Sequence, residues 1–290
     1  METRRLRLLV ELARLGSMRE VAEEMGLTTS TVSQQIAILA RDTGATLVEP
    51  DGRRVRLTPA GRRLAAHGVT ILGAVEAARL DLDPDASPAG ELRVAGFATA
   101  IRRSLLPVQA RLARDHPGVR LLIHEHEPSE AFALLDADDV DLALTYEYNL
   151  APVSFPGRYE ARALWTVPWG LAVPAGMTLD EAWGQDWIVN SRNTADEEVA
   201  RTLASLHDLV PRIAHRCDSL DLVQDLIVAG LGVGLMPAGV PALPGIDVLT
   251  LRDPGVVLRA YALNRRGRTA WPPLALVLRL LDSSPDESGR

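Results

Sequence analysis

Ser17-Met18-Arg19-Glu20-Val21-Ala22-Glu23-Glu24-Met25-Gly26-Leu27-Thr28-Thr29-Ser30-Thr31-Val32-Ser33-Gln34-Gln35-Ile36-Ala37-Ile38-Leu39 is the stretch on which the reading of this chain turns. Ser17 can cap a helix with Glu20 at N3, the capping-box spacing, and that helix buries Val21, Ala22 and Met25 before Gly26 stops it. After only Gly26-Leu27, Thr28 can cap a second helix. Its inward face is Val32, Ile36 and Leu39, which leaves Thr29, Ser30, Ser33 and Gln34 outward. Helix, tight glycine turn, helix is the arrangement whose second member enters the DNA major groove, where short hydroxyl and amide side chains meet base edges and phosphates. Spacing alone fits a corner of a small helical bundle equally well.

Working outward, Leu6, Leu9, Val10 and Ala13, with Leu12 beside them, follow helical spacing and stop at Gly16, a good residue just past a helix end. Downstream, Leu47 and Val48, a turn at Asp51-Gly52 and the alternation Arg53-Arg54-Val55-Arg56-Leu57 describe a β-wing with a basic tip. Such a wing lies along a phosphate backbone; the bland alternative is a solvated charged hairpin.

Leu15-Gly16-Ser17, Val21-Ala22, Thr31-Val32-Ser33-Gln34-Gln35-Ile36, Leu39, Gly44 through Leu47, and Val55-Arg56-Leu57-Thr58-Pro59-Ala60-Gly61 resemble, in order and spacing, the LysR-type transcriptional regulators. The departures fall where that family meets DNA. Ala40 stands in place of its usual Glu, Val48-Glu49-Pro50 in place of Phe-x-Arg, and Gln34 where Arg is frequent, so affinity would lean on Arg53 and Arg54. The resemblance assigns DNA contact to Ser17, Thr28, Thr29, Ser30, Ser33, Gln34, Arg53 and Arg54.

From Thr58-Pro59 a helix can run to about Leu82. Leu64, Gly68, Ile71, Val75, Ala78 and Leu82 alternate spacings of four and three, as a two-helix seam does, although a plain amphipathic core helix fits as well. The resemblance makes it a dimerising linker. Residues 83–90, rich in proline and small side chains, then read as a hinge.

Beyond it, strands at Leu92–Ala95, Val119–Ile123 and Leu142–Leu144 alternate with helices at Ile101–Arg114 and Glu130–Leu135, the order of an α/β fold with parallel strands. Gly90-Glu91-Leu92-Arg93-Val94, Asp141-Leu142-Ala143-Leu144 and Val228 through Pro237 resemble the effector domain of the same family, a relative of the type 2 periplasmic binding proteins. The implied division is a winged helix-turn-helix at 1–59, a linker helix at 60–82, a hinge at 83–90 and an effector domain at 91–290. Within the last, lobe I takes about 91–162 and 264–290 and lobe II about 163–263, the chain crossing near Ala163 and returning near Leu263.

Composition bounds the function. The chain has 290 residues and a formal net charge of −7, but residues 1–80 carry 12 Arg against 9 acids while the remainder carries 19 against 29. A mildly basic head on an acidic body suits nucleic-acid binding at one end only. All 31 basic residues are Arg, which reflects coding bias before function. The single Cys217 excludes an intramolecular disulfide and any multi-cysteine zinc site, and is a core thiol before it is a redox switch. Met1 is followed by mixed charged and apolar residues rather than a signal-peptide core, so a cytoplasmic protein is expected. The uncharged run Leu226–Ile246 holds Pro237, Pro241 and Pro244, which rule out one membrane-spanning helix. It reads as a helix end, a turn and a short strand.

No catalytic spacing is present, so no enzyme activity, cofactor or metal is expected. Gly230-x-Gly-x-Gly follows a helix and precedes a strand, the reverse of a dinucleotide loop. His124 and His126 share a strand face but lack a third ligand. The expected partners are double-stranded operator DNA, a second copy of the chain in a dimer or tetramer, and a small-molecule effector; RNA polymerase is admitted and a membrane is not. For the effector, the turn Ala98-Thr99-Ala100 and Tyr146 from one lobe should face Asn190, Ser191 and Ser219 from the other, unless these are ordinary helix caps. Helix N-termini and hydroxyls favour an anion, so the effector expected is a small carboxylate-bearing metabolite.

Overall fold

In the computed structural model, residues 1–51, 54–82 and 87–283 are described, with the backbone alone at Arg54 and Asp81. Helix α1 (Thr3–Leu15) ends at Gly16, whose left-handed backbone lets its N–H reach the Leu12 carbonyl. Helix α2 (Met18–Glu24) follows, and Ser17 Oγ accepts from the Glu20 N–H at 3.5 Å. Helix α3 (Thr29–Thr43) begins at Thr28, whose hydroxyl accepts from the Thr31 N–H at 3.1 Å. Strands β1 (Val48–Asp51) and β2 (Arg54–Leu57) pair antiparallel. Asp51 is therefore the last strand residue and not the first of the turn; Gly52 and Arg53 lie outside the described residues.

Helix α4 (Pro59–Leu82) starts on the Thr58 cap, with Gly61 N–H to Thr58 Oγ1 at 3.0 Å. A Cβ at Gly61 would stand 2.0 Å from the Leu47 carbonyl oxygen, so only glycine lets the helix touch the wing's base. Gly68 lies against Leu6 and Val10 of α1. At Gly68 the expected stripe meets α1 of the same chain, while Leu82 at its far end is 86% exposed. Residues 83–86 of the expected hinge lie outside the described residues. One apolar cluster, including Leu9, Leu12, Val21, Val32, Ile36, Leu39, Leu47 and Ala65, holds head and linker together.

The body is built on β3 (Gly90–Gly96), β4 (Val119–Glu125) and β5 (Leu142–Tyr148), parallel in the spatial order β4-β3-β5. Between β3 and β4 the chain forms a short α5 (Ala98–Ala100), one π turn (Ile101–Leu105) and α6 (Leu106–Asp115). The expected uninterrupted helix is broken because Pro107 offers no N–H and its ring would strike the Arg103 carbonyl; the wider turn relieves both. Helix α7 (Pro128–Ala137) crosses from β4 to β5.

Two long strands, β6 (Tyr159–Pro174) and later β11 (Val256–Arg265), run antiparallel through the sheet. Between them come α8 (Leu179–Ala182), β7 (Asp186–Val189), α9 (Ala195–Ser205), β8 (Arg212–Arg216), α10 (Leu220–Val228), β9 (Val233–Pro237) and β10 (Ile246–Thr250). The second lobe is the parallel set β9-β7-β8, joined to β6 through β9, with β10 also on β6. β6 changes partner at Trp169, which faces Val256 of β11 and Pro237 of β9. The crossing thus falls later in β6 than Ala163 and earlier in β11 than Leu263, because both strands continue their first-lobe pairing beyond those residues. Helix α11 (Pro272–Asp282) returns to pack on β3 and α6. Among the described residues no helix is long and apolar enough to cross a membrane.

Candidate functional site

The outward face of α3 is as the periodicity predicts. Val32, Ile36 and Leu39 are fully buried, whereas Thr28, Thr29, Ser30, Ser33 and Gln34 are exposed. Thr28 and Ser30 share a hydroxyl contact at 2.9 Å, so the first turn is locally ordered. Ser17 is half-buried at its cap. Arg53 lies outside the described residues, as does the Arg54 side chain. Of the head's other cations, Arg56 faces Glu49 across the wing at 3.0 Å, and Arg5 turns inward to Gln35 and Asp42 of α3. These two are committed to the fold.

In the body, the residues expected at the effector site divide into two groups. Phe97, just past β3, stacks edge-on to Tyr146 of β5, with ring centroids 4.7 Å apart. Ala98 and Thr99 beside it are half-buried and Ala100 is buried. Tyr146 is 6% exposed, and its hydroxyl donates to Glu127 Oε2 at 3.1 Å. Asn193 of the second lobe, in the loop between β7 and α9, donates its Nδ2–H to the same carboxylate oxygen at 2.6 Å and lies 2.8 Å from the Tyr146 hydroxyl. This carboxamide is one of the ties between the two lobes.

The expected second-lobe residues act locally. Asn190 Oδ1 accepts from the Arg192 and Asn193 N–H groups at 2.9 and 3.1 Å, shaping the loop that presents Asn193. Ser191 donates to Asp218 at 2.6 Å, and Ser219 is exposed and caps α10 through the Leu222 N–H at 3.4 Å. Asn190, Ser191 and Ser219 thus have intramolecular partners of the kind that caps and loop braces have.

Six groups at this junction went unread in the sequence: Glu127, Tyr148, Arg192, Asn193, Asp196 and Asp218. Tyr148 could have been found, since it shares a strand face with Tyr146. Glu127 before Pro128 is a legible helix start. The others come together only through tertiary contact. Arg192 spans the lobes, with Nε to Asp218 at 2.8 Å and an Nη to Glu130 of α7 at 3.3 Å. Burial would raise the Asp218 carboxyl, but Ser191 and Arg192 hold it below the usual range. Burial raises Glu127, which is 5% exposed, against the opposing bonds from Tyr146 and Asn193. Asp196, in the first turn of α9, is pushed up to about 6 by burial and by the charges of Glu127 and Asp218, although the Tyr148 hydroxyl donates to it. Burial keeps Tyr146 and Tyr148 protonated, hence donors.

The electrostatics run against a carboxylate here. The helix N-termini that face the junction, α7 and α9, already carry the chain's own acids, Glu127 at the N-cap and Asp196 in the first turn. A helix terminus favours an anion by about 0.3–1 kcal/mol, whereas an uncompensated buried charge costs several kcal/mol. The His124 and His126 rings lie 6.4 Å apart, and among the described residues no group of three or more metal-ligating side chains is placed to hold an ion.

Residues 3–62 match the family described as bacterial regulatory helix-turn-helix protein, lysR family, and residues 85–284 match the LysR substrate binding domain. The chain is 28% identical to the HTH-type transcriptional regulator IlvR of Caulobacter vibrioides, across 99% of this chain and all of that one. It is 26% identical to the transcriptional dual regulator GltC of Bacillus subtilis, across 82% of this chain and 81% of the other. Among solved structures, a full-length single-site variant of OxyR from Pseudomonas aeruginosa superposes with a TM-score of 0.69 at 19% identity, covering 98% of this chain and 97% of that one. CbnR complexed with its target DNA superposes at 0.52 and 21% identity, covering 98% and 100%. At these identities the two structures share the fold.

Proposed function

The chain belongs to the LysR family of DNA-binding transcriptional regulators, and from that premise we propose that it binds operator DNA as a dimer or tetramer through α3 and the wing, and that a small molecule held between the two effector lobes sets its activity. The observation that supports the sensing half is the Asn193 carboxamide, which joins Glu127 and Tyr146 across the lobes at 2.6 and 2.8 Å. A junction made of polar bonds, rather than of packed apolar surface, can be remade around a ligand that offers equivalent bonds. The DNA half is supported by the exposed Thr29, Ser30, Ser33 and Gln34 over a buried Val32, Ile36 and Leu39. CbnR binds target DNA, and the same role is proposed for this head.

In this reading Ser17 and Thr28 order the recognition helix, Gln34 and Thr29 read bases, and Arg53 and Arg54 contact phosphate. No catalytic step is assigned, and the work is done in the cytoplasm, with RNA polymerase as the downstream partner of an activator. The exposed Leu82 end of α4 is the stretch offered to a second copy, and the effector domain starts near residue 91.

The test is selection of a duplex from genomic fragments by the purified chain, followed by titration in salt. Loss of one phosphate contact in Arg53→Ala should reduce the log-log salt slope by about one and weaken all duplexes alike. A chain that selects no sequence, or that is monomeric by light scattering on its duplex, overturns the proposal.

The effector's charge is read differently from the residues around the junction than from the helix termini alone. The amides around Ala98, Thr99 and Ala100 favour the carboxylate expected from sequence, but Glu127 and Asp196 oppose it more strongly. The effector proposed is accordingly a small polar metabolite that brings hydrogen-bond donors to the Tyr146 side of the junction.

A further inference from the structure

The linker helix is held by its own effector domain as well as by the head. At Gly73, a buried position in the second half of α4, a Cβ would stand 3.3 Å from both Cα and Cβ of Trp271. Glycine in mid-helix weakens a helix, and here it makes room for the close approach of the tryptophan backbone. One turn before it, a Cβ at Gly267 would stand 3.3 Å from the methyl and the hydroxyl of Thr70 and 4.0 Å from its Cβ. On its far side the half-buried Trp271 meets the start of β3, where a Cβ at Gly90 would lie 3.5 Å from Cζ2 of the indole. One tryptophan therefore borders the chain on both flanks of the proline-rich segment 83–90, at α4 before it and at β3 after it.

The turn that carries Trp271 is anchored in the first lobe. The Gly267 N–H donates to Glu160 Oε1 at 3.3 Å, Arg266 Nε–H to the Gly157 carbonyl at 2.9 Å, and the Trp271 N–H to the Arg268 carbonyl at 2.9 Å. Arg268 is 5% exposed; it pairs with Asp138 at the end of α7 and lies 3.7 Å from Asp141, which in turn pairs with Arg93 of β3 at 3.0 Å. Trp271 itself packs on the main apolar cluster of the effector domain. Arg14, in the last turn of α1, is near enough for its charge to act on Arg93, so the head also borders this lobe.

We infer that Trp271 is a positioning residue: it docks α4 on the first lobe, so that the DNA-binding head, the linker and lobe I move as one body and lobe II is the part left to move against them. A segment of the composition of 83–90 would by itself leave the linker free to swing. Contact on both of its flanks removes that freedom. Lobe II, by contrast, is carried on the long strands β6 and β11 and meets lobe I through polar bonds such as that of Asn193.

The experiment uses the full chain in a Cys217→Ser background with Thr70→Cys and Gly267→Cys, whose Cβ atoms would stand 4.0 Å apart, within disulfide range. Mild oxidation should close the bridge within one chain, as read by mass and peptide mapping, and the bridged chain should bind the selected duplex within threefold of its reduced form. Adding Gly73→Leu, which pushes α4 off Trp271, should slow closure at least tenfold, whereas Ala74→Leu, on the exposed face beside it, should not. A folded double variant that stays unbridged, closure that ignores Gly73→Leu, or a bridged chain that loses duplex binding tenfold or more overturns the inference. Gly267 has a left-handed backbone (φ 83°) that strains a cysteine there. Should a cysteine or leucine variant fail to fold, Trp271 decides: Trp271→Ala should speed hydrogen exchange in residues 70–82 at least tenfold while α3 keeps its protection, and Trp271→Phe should restore it to within threefold. Exchange at 70–82 that is unchanged in Trp271→Ala, or raised as much in Trp271→Phe, overturns the inference.

Discussion

Asn193 and Glu127, 66 residues apart in the chain, meet at 2.6 Å across the two lobes of the effector domain. The bond leaves the second lobe from a loop shaped by Asn190 and enters the first at the start of α7. Removing it in Asn193→Ala leaves Glu127 and Tyr146 each one partner short. A loss of about 1–3 kcal/mol in stability is expected, as for a buried polar group left unsatisfied. Hydrogen exchange should rise first in the loop around 190–194 and at the start of α7; unchanged protection in both would show that the lobes are held elsewhere.

Asp196→Asn should behave in the opposite way. Folding raises this carboxyl from 3.8 to about 6, so the folded chain holds the proton more tightly than the unfolded one. The penalty is fully present above pH 6 and fades as pH falls from 6 toward 3.8. The amide can still accept from Tyr148 and Asn190, so the variant should be more stable than the parent by up to about 3 kcal/mol at pH 8, with the gain shrinking below pH 6. Urea titrations at pH 8 and pH 5 measure the difference. A gain that is the same at both, or absent, contradicts the assignment.

Gln34→Ala and Thr29→Ala should each cost on the order of 1–3 kcal/mol in operator affinity if they read bases, and leave the thermal midpoint unchanged because both side chains are exposed. Gel-shift titration on the selected duplex and on a scrambled one separates base reading from general affinity. Equal losses on both duplexes would make them backbone contacts.

Gly61→Ala should break the joint between linker and wing. The added Cβ meets a backbone carbonyl at 2.0 Å, which no rotamer can relieve, so α4 must shift from Leu47. A destabilisation of about 1–3 kcal/mol is expected, with DNA binding reduced further as the wing moves. Wild-type affinity in this variant would mean that α4 and the wing are not mechanically joined.

Cys217→Ser should leave any response to peroxide as it is. OxyR shares the fold of this chain. Here, however, burial and the charges of Asp218 and Asp196 push the only thiol up, away from the reactive thiolate. Mass spectrometry after millimolar peroxide should find Cys217 largely unmodified. Rapid sulfenate formation there would overturn this.

What the sequence by itself determined is local. The caps at Ser17, Thr28 and Thr58, the stops at Gly16 and Gly26 and the buried faces of α1 to α3 follow from 3.6-residue periodicity and short-range hydrogen bonds, which a window of a dozen residues contains. The parallel set β4-β3-β5 was legible for the same reason, each strand being followed by a helix that must cross over. Tertiary structure alone decided the rest. The π turn answers Pro107 at a helix joint whose bounds periodicity does not set. Gly68 of the linker lies against α1, because the fold of the head selects which side of α4 it covers. The junction chemistry was least legible of all: Asn190 braces its own loop, Ser219 caps α10, and Ser191 bonds Asp218, 27 residues away. Glu127, Asn193 and Asp196 have no shared spacing and acquire their charge environment only when β5, α7 and α9 are packed together. Desolvation and Coulomb fields depend on distances through space, and no pattern along the chain encodes them.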